Sequence, residues 1–118
     1  MNRIVAILVI NFIVGFNSAI NADDAPTFAS LAKPFFQKHC LDCHGADLQE
    51  GGVSFHELEG VTADNAELWK RVWEQVALKE MPPKEEANQP TSRQRVELSN
   101  WITGELVIAL QDRGGFQS

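Results

Sequence analysis

The sequence predicts an all-α domain of about three main helices. Three stretches carry apolar residues at helical spacing, and two of them open on residues suited to cap a helix. No stretch alternates apolar and polar residues as a half-buried strand would.

The first helix is expected within residues 27–39, TFASLAKPFFQKH. Thr27 is placed to act as N-cap, and Phe28, Leu31, Ala32, Phe35 and Phe36 share one face. Pro34 either kinks this helix or lies close to where its regular part begins, because proline is best tolerated in a first turn. Periodicity is lost over residues 45–64, and Gly51-Gly52 and Gly60 mark a loop.

The second helix is expected in DNAELWKRVWEQVALKEMPP. Trp69, Val72, Trp73 and Val76 fall at i, i+3, i+4 and i+7, and Pro82 and Pro83 end the pattern. A charged connector, KEEANQP, leads to Thr91-Ser92-Arg93-Gln94. That tetrad reads as a capping box, with the Thr91 hydroxyl and the Gln94 amide each satisfying the other residue's backbone N–H. Leu98, Trp101, Ile102, Leu106 and Ala109 extend the third stripe until Gly114-Gly115 stops it.

Ahead of these helices the chain opens on Met-Asn-Arg, an apolar run of 13 residues at 4–16, and then small residues. This is the pattern of a secretory signal peptide, with cleavage expected after Ala22. The run is shorter than the roughly 18 apolar residues needed to span a bilayer. The expected organisation is therefore a signal peptide at 1–22 and one exported, periplasmic or similarly placed domain at 23–118.

Cleavage removes Arg3 and no acid, lowering Lys plus Arg from 10 to 9 against 16 Asp plus Glu, a net charge of −7. That balance argues against nucleic acid or a stable association with anionic membranes, and it favours protein partners with basic docking surfaces. The remaining 96 residues suffice for one small domain. In such a domain a cofactor, metal or disulfide contributes a large part of the stability, so the chain without its cofactor is expected to be largely unfolded.

Both cysteines and two of the three histidines lie in HCLDCHG, residues 39–45. Cys40 and Cys43, three positions apart, suit the two vinyl groups along one edge of a porphyrin. The imidazole of His44 then falls near the iron. A disulfide or redox-active pair explains the thiols but leaves His44 without a role, and its usual βαβ setting is missing. Zinc held by Cys40, Cys43 and two of His39, His44 and His56 lacks the usual second ligand pair. Haem attachment accounts for all three residues.

A six-coordinate haem needs a second axial ligand. After cleavage Met81 is the only methionine, and Pro82 biases it toward an extended backbone that can hold a thioether rigidly. The competing readings are Met81 as core filler, His56 as ligand from its loop, and an open or water-bound position. A Met/His pair raises the potential and blocks substrate access, which suits electron transfer; an open position suits ligand binding or peroxide chemistry. Phe35, Phe36, Trp69, Trp73 and Trp101 read as core between helices or as walls of a haem crevice. Trp69, Arg71 and Lys84 are the candidate donors to a propionate.

Taken together, KPFFQKHCLDCHG, GGVSF, DNAELWKRVWEQVALKEMPP and PTSRQRVELSNWI, in that order, resemble the planctomycete-type cytochrome c domain over residues 28–110. The resemblance implies a small mono-haem cytochrome c-like fold with terminal helices, bearing Phe35 and Trp101, that cross. It implies haem c bound through Cys40 and Cys43, with His44 and Met81 on the iron. The expected role is single-electron transfer between redox proteins, not catalysis. The alternative is a haem enzyme or ligand sensor with an exchangeable distal site.

Overall fold

A computed structural model describes Gly15 and residues 24–112. The expected signal peptide, apart from Gly15, and the Gly114-Gly115 stop lie outside the described residues. Among the described residues the fold is helical with no strand, and no helix is long and apolar enough to cross a membrane.

The first helix begins with the expected cap. Ser30 N–H donates to Thr27 Oγ1 at 3.1 Å, and Thr27 N–H donates to Ser30 Oγ at 2.9 Å. A π-helical turn, Phe28–Ala32, then runs into α1, Lys33–His39, with Pro34 in the first α-helical turn. Pro34 has no N–H for an α-helical bond, and the wider turn comes immediately before it. Of the two options the sequence left for Pro34, the structure adopts the regular start at the proline.

Cys40 ends α1 and precedes α2, Leu41–His44, a single turn. The long loop follows, interrupted by a 3-10 turn at Glu50–Gly52 in which Gly51 and Gly52 take φ of 63° and 71°. Those left-handed values are readily available to glycine. Asn65 closes the loop: its side chain accepts from Thr62 N–H at 2.7 Å and donates to Gly60 O at 2.8 Å.

The helix α3, Ala66–Ala77, stops before the two prolines rather than at them. Lys79 enters the left-handed region at φ 59°. Lys79 N–H donates to Val76 O at 3.3 Å and Glu80 N–H to Gln75 O at 2.9 Å, the paired bonds of a Schellman ending. This ending satisfies the last carbonyls, and Met81 N–H also donates to Gln75 O, at 3.1 Å.

The predicted capping box opens α4, Ser92–Gln111: Gln94 N–H donates to Thr91 Oγ1 at 3.1 Å and Thr91 N–H to Gln94 Oε1 at 2.8 Å. The helix ends at Gln111, ahead of the two glycines.

α3 packs along α4, and the N-terminal segment closes one end of the pair. Trp69, fully buried, lies at the centre. It stacks on Phe36 at 5.5 Å, meets Trp101 edge-on at 5.5 Å and meets Phe28 edge-on at 6.2 Å. Trp101 Nε1–H donates to Pro26 O at 3.1 Å, so the two ends of the domain meet through Phe28, Pro26 and Trp101. Phe35 is buried in the same core cluster as Leu98 and Ile102, with its ring also 5.0 Å from that of His39.

Two aromatic expectations change. Trp73 belongs to the α3 stripe by spacing but is 40% exposed, because the buried face is covered by Trp69, Val72 and Val76 and Trp73 falls on its flank. Trp69 is no propionate donor, since its Nε1–H is committed to Gly60 O at 3.0 Å.

Candidate functional site

Cys40, Cys43 and His44 are brought together by one turn of chain. Cys40 N–H still bonds back to Phe36 O, and Cys40 O accepts from Cys43 and His44 N–H groups at 3.2 and 2.9 Å. Both cysteines are free thiols, partly buried. Gly45 must be small here for a steric reason: a methyl group on it would run into the Leu41 carbonyl oxygen.

The loop then returns over the turn and holds His44 through Phe55 and Val53. Phe55 N–H donates to His44 O at 2.7 Å, Gly45 N–H donates to Leu48 O at 2.8 Å, and the Phe55 ring packs against the imidazole at 5.2 Å. Most informative is the contact of His44 Nδ1 with Val53 O at 3.1 Å. A carbonyl only accepts, so Nδ1 carries a proton, and in the neutral ring Nε2 is then the nitrogen with the lone pair. This is the arrangement that orients an imidazole as a metal ligand and raises its basicity.

Burial pushes the Cys40 thiol from 9.0 up to about 12, with Arg95 pulling the other way and Cys43 adding a smaller upward push. The raised value means that this contribution to folding is complete below about pH 9 and is lost as the pH climbs toward 12. Where the haem-free chain keeps this turn at pH 8, Cys40 should therefore alkylate on the order of a hundredfold more slowly than in denaturant, whereas a chain that is largely unfolded without haem gives no such difference. Mass mapping of partially alkylated chain checks this, and equal rates with and without denaturant would mean that the turn is not formed before the cofactor arrives.

Arg95 was not legible as a site residue, yet it links this turn to Met81. The guanidinium lies within electrostatic reach of Cys40, and burial lowers its own pKa. It donates through Nη1 to Met81 O at 2.8 Å and Val76 O at 3.0 Å, and through Nη2 to Gln89 Oε1 at 2.9 Å. Asn88 ties the same connector to α1: its Nδ2–H donates to Lys38 O at 2.9 Å and its carbonyl accepts from His39 Nδ1–H at 3.1 Å. The segment carrying Met81 is thus fastened on the Cys40 side of the domain. Arg95 shares the core-facing row of Leu98, Ile102 and Ala109, and a cation in such a row is the sequence signal that marks it.

His56 is exposed and engaged locally. Its Nδ1 contacts the Ser54 hydroxyl, and its Nε2 lies 3.7 Å from Glu57 Oε1. Among the described residues no three His, Cys, Asp or Glu side chains cluster as a metal-ion site, so the ligands a zinc centre would need are not assembled.

The family model described as planctomycete cytochrome C matches residues 40–85, from Cys40 through the Met81 segment. Over those residues the chain is similar to planctomycete cytochrome C. No curated protein and no solved structure matches the chain. The match is shorter than the resemblance over 28–110 and omits α1 and α4, but it spans Cys40, Cys43, His44 and Met81. Similarity to a cytochrome c implies haem c, and the chain's two cysteines and the Nε2 of His44 form a donor set that fits that group.

Proposed function

We propose that this cytochrome c domain is an exported mono-haem electron carrier that passes single electrons between protein partners. The observation that carries the reading is the Nδ1-protonated His44, held by Val53 O with Nε2 available, one position after the second of two free thiols. Cys40 and Cys43 would hold the haem by thioether bonds, and His44 Nε2 and the Met81 thioether would take the two axial positions. Bound haem supplies an iron that cycles between Fe(II) and Fe(III).

The rest is the work of the polypeptide. The loop at residues 45–55 keeps the His44 ring in one orientation and one tautomer. Phe36, Trp69, Leu98 and Ile102 keep water from the interior beside the cysteines. Met81 is favoured over His56 because its backbone is fastened near Cys40, whereas both His56 nitrogens face the neighbours Ser54 and Glu57. The acidic surface suits partners with basic docking faces and discourages nucleic acid. One observation favours the second reading, an exchangeable distal site for a haem enzyme or sensor: the Met81 side chain is 39% exposed.

Expression of the full chain with a haem-maturation system tests the reading. The expected product begins at Asp23, weighs one haem more than residues 23–118, and shows a methionine–iron charge-transfer band in its ferric spectrum. Colourless protein at the bare polypeptide mass overturns it. A coloured protein without that band, binding cyanide at once, favours the exchangeable site.

A further inference from the structure

We infer that Arg95 is the positioning residue for the sixth ligand: it pins the Met81 backbone to α4 so that the thioether stays on the iron. The inference rests on the His44/Met81 reading and specifies what maintains it.

The backbone of Met81 is held on both sides. Its N–H donates to Gln75 O at 3.1 Å, and its carbonyl accepts from Arg95 Nη1 at 2.8 Å. Pro82, next in the chain, is buried. The Met81 residue is more open, 39% exposed. A side chain that is only partly packed takes much of its direction from its backbone, so whatever fixes residue 81 helps aim the sulfur.

Arg95 is built for that task at a cost. It is 6% exposed, and the partners that hold its guanidinium are two backbone carbonyls and one amide oxygen, none of them a carboxylate. Burying a cation against neutral acceptors is expensive, and the helix ending does not require it, because Val76 O already accepts from Lys79 N–H. The other two guanidinium bonds reach Met81 and Gln89, at either end of the connector. A planar guanidinium spans three such acceptors at once, whereas a lysine ammonium presents its donors from a single point.

The test compares matured wild type with Arg95→Met and Arg95→Lys. Both variants should keep the thioether-bound haem by mass, lose or weaken the methionine–iron band, and bind added imidazole roughly 10- to 100-fold more tightly than wild type, as expected when hydrogen bonds from a charged donor are lost. Gln89→Ala, which removes only the Nη2 acceptor, should give a smaller shift in the same direction. This variant decides the matter if Arg95→Met fails to mature. A purely structural role would lower the melting temperature while leaving band and imidazole affinity unchanged, and that result overturns the inference. If wild type itself lacks the band, the His44/Met81 reading fails first and takes this inference with it. If wild type shows the band and the variants retain it, Arg95 alone is misassigned.

Discussion

Matured Met81→Ala protein is expected to lose the methionine–iron band completely, to bind imidazole or cyanide at the vacated position, and to fall in reduction potential. Thioether ligation favours the reduced iron, so exchange for water or a nitrogen donor should lower the potential by on the order of 0.1 V or more, within the roughly 0.8 V over which axial ligands act. Covalent attachment should be untouched, because Cys40, Cys43 and the His44–Val53 bond lie in another part of the chain. A ferric spectrum with a redox titration checks the outcome. His56→Ala is the paired control and should change neither, since the His56 ring is exposed and occupied by Ser54 and Glu57. The reverse pattern, with His56→Ala altering the spectrum and Met81→Ala silent, would reassign the sixth ligand.

What the sequence made legible followed from local rules. The Thr27 and Thr91 caps and the Val72, Val76, Leu98 and Ile102 stripes depend on residues within a turn or two of one another. Position along a helix was harder where two faces compete. Trp73 obeys the same spacing as Trp69, and only the packing of α3 on α4 decides which indole is covered. The end of α3 was misplaced because prolines are conspicuous stop signals, whereas a lysine in a left-handed Schellman position is not.

The site divided along the same line. Cys40, Cys43 and His44 form a contiguous pattern, and the family match begins on it. The groups that orient them are distant or carry no side-chain signature: Val53 acts through its carbonyl, Asn88 reaches back 50 positions to Lys38, and Arg95 works on residues 14 and 19 positions earlier. A carbonyl is present at every residue, so only the folded chain reveals which one matters. Flanking helices set by periodicity alone also say little about family, in keeping with a match confined to residues 40–85.

Trp69→Ala is expected to be the most damaging single change in the polypeptide core. The indole has no exposed surface and joins three parts of the domain, the N-terminal segment through Phe28 and Phe36, the loop through Gly60 O, and α4 through Trp101. Large-to-small substitution of a buried Trp costs about 3–5 kcal/mol. A domain of this length has roughly 5–14 kcal/mol in total, so little margin remains at the lower end. The Gly60 carbonyl would keep one partner, Asn65 Nδ2–H, so the loss should come mainly from the cavity and not from a stranded acceptor. Trp69→Phe, which retains a stacking ring and loses the N–H, should accordingly recover most of the deficit. Denaturant unfolding of the matured proteins measures both. A Trp69→Ala loss below about 1 kcal/mol would mean that this site collapses or was never tightly packed, and that the interior is organised around the prosthetic group rather than around the aromatic cluster.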